Sequence, residues 1–215
     1  MRRMSLVAVM LSSLLVAPAF AADWGDLKLK FVHVGASKAP AKINVNKDQA
    51  FCGKHGLTDE SLVVGKDGGV ANVIVYLYQG RGAKAAKVHP DYAKTEKGTV
   101  NLDNKNCRYE PHVALLRTSQ KLEIGNPDPV GHNSKVDTFK NPAINPIIPA
   151  KGKTVEQFKA AEKLPAKVSC SIHSWMNAWL VIQDHPYMAV SGKDGVVTIK
   201  DLPAGKWDFQ VWHEK

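Results

Sequence analysis

The sequence predicts an all-β fold, a β-sandwich, on three observations. Long helical periodicity is scarce. Short runs of Val, Ile, Leu and aromatic residues recur instead, bounded by Gly, Pro, Asn and Asp, which is the pattern of an antiparallel sandwich. Some of these runs alternate and others are wholly apolar, the signatures of half-buried and fully buried strands.

Taken in order, residues 27–34 alternate, with Leu27, Leu29, Phe31 and His33 on one face and Lys28 and Lys30 on the other. Residues 70–78 are almost continuously apolar and predict a central strand buried on both faces, after a turn at Lys66-Asp-Gly-Gly69. Short strands are expected at 99–102, 112–117, 121–125, 168–170, 178–183 and 188–191. Residues 196–200 and 207–212 are expected to close the chain as a hairpin around Leu202-Pro-Ala-Gly205. Residues 154–162 suit either a strand or a short helical turn, and 36–61 and 79–98 read as long loops.

The first 21 residues have the order of a secretory signal: Arg2 and Arg3, an apolar stretch at 6–16, then Ala19-Phe-Ala21 as a small-x-small cleavage site. The stretch is short for a membrane span, and no later segment is long and apolar enough to be one. The expected product is a periplasmic or secreted chain with no transmembrane anchor after processing. Removing Arg2 and Arg3 lowers the formal net charge from +9 to +7. A basic surface of this kind steers acidic partners or anionic membrane faces. Its lysines and arginines are scattered, without a dense run or interleaved aromatics, which argues against nucleic-acid binding.

The chemistry concentrates in Val168-Ser-Cys-Ser-Ile-His-Ser-Trp-Met176, where Cys170, His173 and Met176 stand in a Cys-x-x-His-x-x-Met run. A second histidine, His132, lies in the loop Gly125-Asn-Pro-Asp-Pro-Val-Gly-His-Asn133. Two imidazoles, a thiolate and a thioether are the ligand set of a single type 1 (blue) copper site. Zinc favours more Cys or His and has no use for Met. The Cys-x-x-His-x-x-Met run lies on a tight loop between strands 166–170 and 178–182, and His132 follows another strand, so both loops can meet at one end of a sandwich. Of the three cysteines, Cys170 is claimed by this motif, which leaves Cys52 and Cys107 as the disulfide candidates. The open alternative is that Cys170 itself pairs with one of them.

The two ligand loops resemble those of the cupredoxins, in the plastocyanin and amicyanin group, over about residues 110–184. The resemblance implies a Greek-key β-sandwich holding one copper, with His132 and His173 as imidazole ligands, Cys170 as thiolate and Met176 as axial thioether. It also implies that Asn133 ties the two loops together. More loosely, the segment from Asp59 to Leu77, Cys107-Arg-Tyr-Glu-Pro-His-Val113, Asp184-His-Pro-Tyr187 and Trp212-His-Glu214 resemble exported bacterial proteins of methylamine-utilisation or plastocyanin-like type. Those combine a cupredoxin core with a carboxypeptidase-regulatory-like β segment. The organisation expected is therefore a signal at 1–21, a sandwich at 22–184 with its copper-binding core at 110–184, and a C-terminal hairpin at 185–215.

The function implied is outer-sphere electron transfer to and from a redox protein, such as a cytochrome or a dehydrogenase with an acidic face. Ile172, Trp175, Pro127, Pro129 and Val130 are expected to form an apolar collar around an accessible His173 edge. The alternative is a periplasmic copper-handling protein using the same residues. An enzyme is not expected: there are no His-x-His pairs for further coppers, no nucleophile elbow, no phosphate loop and no paired acids. His112, His185 and His213 could converge on a second metal, but hydrogen bonds to backbone or to acids such as Asp184 and Glu214 are the simpler expectation.

Overall fold

The computed structural model describes residues 23–80, 82 and 84–215, so the expected signal lies outside the described residues. Fifteen strands follow one another: β1 (Trp24–Lys30), β2 (Ile74–Leu77), β3 (Thr99–Lys105), β4 (Arg108–Glu110), β5 (Val113–Arg117), β6 (Lys121–Gly125), β7 (His132–Asn133) and β8 (Lys135–Asp137). Then come β9 (Ile147–Ile148), β10 (Lys153–Glu156), β11 (Ala166–Ser169), β12 (Asn177–Gln183), β13 (Met188–Val190), β14 (Val196–Pro203) and β15 (Phe209–Trp212). The chain is all-β as expected, and the ambiguous stretch after residue 153 begins as a strand. The stretch 36–61, read as a loop, holds a short helix, α1 (Gln49–Cys52), and a 3-10 turn at Gly53–His55.

Side-chain alternation stacks these strands in layers, because successive residues of a strand face opposite ways. The sheet β10-β6-β3-β4 packs on the sheet β5-β12-β11-β8. Between them lies the largest core, with Leu102, Leu122 and Ile124 from one side and Ala114, Leu116, Val168, Leu180 and Ile182 from the other. The intervening residues of β5 and β12, Val113, Leu115, Trp179 and Val181, face away from that core. They meet Ile74 and Tyr76 of β2. The other residues of β2, Val75 and Leu77, join Leu27 and Leu29 of β1, Phe31 just after it, and Val197, Ile199 and Leu202 of β14. All four residues of β2 are buried, as its apolar run requires.

Two expectations change. The sandwich is mixed rather than purely antiparallel, since β3 runs parallel to β6 and β5 parallel to β12. Apolar patterning reports burial and is silent on strand direction. The strands expected at 196–200 and 207–212 exist but do not pair as a hairpin. β14 pairs with β1, and β15 pairs with β2 beside β13. The alternating face of β1 needs a partner with the same period, and Val197 and Ile199 supply it. Among the described residues, the first strand thus shares a sheet with the penultimate one, and the last strand shares one with the second.

Cys52 and Cys107 are disulfide-bonded across a separation of 55 residues, and Cys170 is free and buried. The bridge binds α1 and its flanks to the sandwich. Around it Leu57, Ile43, Val45 and Phe51 pack on Val130 and Trp175, which belong to the two ligand loops. Among the described residues no helix is long and apolar enough to cross a membrane. Closing a loop of this length contributes about 4 kcal/mol in the chain-entropy picture. The Cys52→Ser, Cys107→Ser double variant is expected to lose roughly that much stability, read as a lower urea midpoint with an unchanged dependence on pH above neutrality.

Candidate metal centre

The first ligand loop leaves β6 and is folded by the side chain of Asn126. Its Nδ2 donates to the carbonyls of Val130, Ile148 and Pro149 at 2.8, 3.0 and 3.0 Å. Its Oδ1 accepts from the Asp128 amide at 3.1 Å, an Asx turn. This curl delivers His132 to the start of β7, fully buried and paired with Ile148. The second loop joins β11 to β12. The Cys170 amide donates to the Met176 carbonyl at 3.3 Å and the Met176 amide to the His173 carbonyl at 2.9 Å. The run from Cys170 to Met176 is thereby folded back on itself, which a Cys-x-x-His-x-x-Met spacing just accommodates.

Asn133 joins the loops. Its Oδ1 accepts from the Ser171 and Ile172 amides at 2.8 and 3.2 Å and lies 3.4 Å from Cys170 Sγ. Its Nδ2 donates to Asn145 Oδ1 at 2.6 Å. The structure brings together His132, Cys170 and His173, whose ligand atoms all lie within 4.8 Å of one another. The two imidazole centroids are 4.5 Å apart. His132 and His173 have no exposed surface, and Cys170 and Met176 are 2 % and 1 % exposed. Met176 belongs to the same buried cluster as Cys170.

Two carboxylates complete the centre, and neither was anticipated. His132 Nε2 lies 3.0 Å from Asp128 Oδ2, and His173 Nε2 lies 2.8 Å from Asp48 Oδ2. With Nε2 occupied on each ring, Nδ1 is the nitrogen left for the interior. His173 Nδ1 is 3.9 Å from Cys170 Sγ. His132 Nδ1 is buried with no hydrogen-bond partner. A metal with bonds of about 2.3 Å to sulfur and about 2.0 Å to nitrogen, at roughly 120°, separates those two atoms by about 3.7 Å. An orphaned buried nitrogen, a second nitrogen at bridging distance and a buried thiol between them fit a soft metal ion. Copper is the metal that this donor set suits best.

Asp128 was legible in part, four residues before His132 in the same loop. Asp48 carries no local signal, since 125 residues separate it from His173. The apolar collar is also revised. Ile172 is 38 % exposed, but the His173 ring it was expected to frame is sealed beneath Asp48 and against Trp175, whose ring meets it edge-on at 5.2 Å. His112, His185 and His213 do not converge. They bond Glu214 Oε1 at 2.6 Å, the Leu77 carbonyl at 3.1 Å and the Ala71 carbonyl at 3.3 Å.

The electrostatics follow from these contacts. Burial pushes the Cys170 thiol up, but the neighbouring His132 and His173 imidazoles and the backbone at Asn133 and His173 outweigh it and bring the thiol down to about 5. Burial pulls the His132 imidazole down, and Asp128 and Cys170 more than reverse that. Burial likewise raises the Asp128 carboxyl, while His132 and the amides of Cys107 and Asn106 hold it below the usual range. The metal-binding form of the cysteine, the thiolate, is thus favoured before any metal arrives.

No known family's sequence profile matches the chain, and no curated protein matches it. Among solved structures, it is similar to an oxidised amicyanin mutant at 13 % identity and a TM-score of 0.35, over 51 % of this chain and 98 % of that one. It is similar to a purple cupredoxin from Nitrosopumilus maritimus at 18 % and 0.33, over 40 % and 100 %. A Cu-containing nitrite reductase from Thermus scotoductus matches at 18 % and 0.35, over 49 % of this chain and 25 % of that one. At such values these likenesses carry no argument, and the reading of the centre rests on its own geometry.

The folded thiol titrates at about 5, whereas an unfolded cysteine titrates at about 8.5. Between those values the unfolded chain holds a proton that the folded chain has lost, so this contribution to stability grows as pH rises through the window and vanishes below it. Metal-free protein is expected to show ultraviolet thiolate absorbance with a midpoint near 5. Its stability advantage over Cys170→Ser is expected to shrink on acidification through the same range, read by urea unfolding at a series of pH values.

Proposed function

We propose that the chain is an exported single-copper electron carrier of type 1 character, with His132, Cys170 and His173 as the strong ligands and Met176 as the weak axial one. The observation behind this reading is the buried thiol of Cys170 flanked by two imidazoles whose outer nitrogens are already engaged by carboxylates. Copper bound there would supply a one-electron couple. The chain's part is to fix the donors in advance, so that little rearranges when the charge changes. Asn133 and the folded-back Cys170–Met176 turn hold the sulfur. Asp128 and Asp48 hold the rings. The surrounding core, including Ile148, Val168 and Leu180, excludes water from the sulfur.

The rival, a copper-handling protein that passes its metal on, would be served by an open and Met-rich site. Four buried side chains under a disulfide-anchored segment favour retention, and only Met176 and Met188 occur after the expected signal. The basic surface suits a partner with an acidic face, met with strong salt dependence. That partner, a cytochrome or a dehydrogenase, belongs to the same reading, as does a periplasmic location.

Copper loading is expected to produce an intense visible band from thiolate-to-copper charge transfer, absent in Cys170→Ser. Met176→Leu is expected to keep the band and raise the reduction potential, because removing a weak thioether ligand costs the oxidised state more. Optical spectroscopy with a redox titration reads both. A copper-loaded protein without the band removes the proposal.

A further inference from the structure

The segment that seals His173 is built unlike the rest of the fold. It has almost no sheet pairing and is held at a few points. Asp48 itself sits in the left-handed region, at φ 46°, a conformation uncommon for a side-chain-bearing residue. Its carbonyl accepts from the amides of Phe51 and Cys52 at 3.0 and 2.9 Å, which starts the turn of α1. Four residues after Asp48, Cys52 is bonded to Cys107. Beside this segment lies a cleft of about 470 Å³, lined by its flanking residues Ile43 and Leu57 and by Cys107, Trp175 and Met176.

The opposite half of the disulfide carries the second carboxylate. Asn106 and Cys107 both have positive φ, 56° and 58°. Their amides donate to Asp128 Oδ1 at 2.7 Å and Oδ2 at 2.9 Å, and Asp128 in turn engages His132. Each half-cystine therefore leads to one aspartate, and each aspartate to one imidazole. We propose that Asp48 and Asp128 are a pair of positioning residues for the metal centre, registered to each other by the Cys52–Cys107 disulfide, with Asp48 also serving as the cap that closes the His173 edge. This rests on the copper reading above and adds to it the control of the site.

The chemistry is that of a carboxylate on the outer nitrogen of a ligand imidazole. It fixes the tautomer with Nδ1 inward, orients the ring and raises its basicity. A more basic imidazole favours the oxidised, more highly charged metal over the reduced one. Asp48 is the useful one to test. Its side chain is 33 % exposed, whereas Asp128 is nearly buried and bonded to two amides as well. Asp48→Ala removes both charge and acceptor. Asp48→Asn keeps an acceptor for the ring N–H and removes only the charge.

The test uses copper-loaded full-length protein, with Cys170→Ser and Lys47→Ala as controls. Asp48→Ala is expected to weaken Cu(II) binding by about 10–100-fold, the usual effect of losing such a partner. It should also raise the reduction potential and speed copper removal by a chelator. Asp48→Asn is expected to restore most of the Cu(II) affinity and slow the chelator reaction again while leaving the potential raised. The Cys52→Ser, Cys107→Ser variant should reproduce the Asp48→Ala shift in potential without touching either aspartate. A mere loosening of the loop would speed the chelator alone and leave the potential unmoved. If Cu(II) affinity and potential in Asp48→Ala stay within about twofold of the parent protein's values, while Cys170→Ser still loses its band, the carboxylate proposal fails and the copper reading stands. If the parent protein itself forms no such band, the copper reading is what has failed.

Discussion

Everything at this centre follows from one constraint: three polar, ionisable side chains are placed where water cannot reach them. Burying an imidazole or a thiolate without partners costs several kcal/mol. The chain meets that cost with a closed set of hydrogen bonds. Asn133 Oδ1 and the His173 amide contact the sulfur, and Asp128 and Asp48 take one nitrogen of each ring. What remains unsatisfied is the inward nitrogen of His132, with the thiol held low by its neighbours. A protein that satisfies every outer contact of a site and leaves an inner one open has prepared that site for a ligand of opposite character.

The fold makes this arrangement possible because the two ligand loops leave different sheets at one end of the sandwich. β6 lies in one sheet and β11 and β12 in the other. Parallel pairing of β3 with β6 and of β5 with β12 puts loops from distant parts of the chain side by side. The remaining strands reinforce this frame from behind. β2 covers the outer face of β5 and β12 and is itself covered by β1 and β14, so the ligand-bearing sheet is buried on both sides where it carries Leu180, Val181 and Ile182. Rigidity at the metal end thus draws on layers contributed by both termini.

Much of this was legible in the sequence, and the reasons are local. The run 70–78 announced a doubly buried strand because burial on both faces leaves no polar alternation. Cys170, His173 and Met176 announced themselves because a single turn must carry them, and His132 because it lies in a loop rich in Gly, Pro and Asn that follows a strand. The disulfide was legible by subtraction, once Cys170 had another use. What the sequence hid is non-local. Strand direction, the pairing of β14 with β1, and the reach of Asp48 to His173 are set by tertiary packing, and no spacing encodes them. The expectation of an accessible His173 edge failed for the same reason: nothing in Cys170–Met176 reveals that a segment more than a hundred residues upstream will cover it.

That cover changes how the centre must work. An imidazole at the surface lets a partner come within a single contact of the metal, and it also admits water to the most polarisable part of the site. Here the ring is sealed, so in the proposed carrier an electron would cross a further side chain. Trp175 is suited to that crossing. Its ring meets His173 edge-on at 5.2 Å, its Nε1 is fixed to the Cys107 carbonyl at 3.0 Å, and it also lines the cleft beside Ile43 and Leu57. The same disulfide therefore anchors the cap over one edge of His173 and, through Cys107, the aromatic ring against another. In the proposed carrier, a site insulated in this way would give up speed of exchange with arbitrary partners and gain discrimination among them, since a partner would have to approach Trp175 or the exposed Ile172.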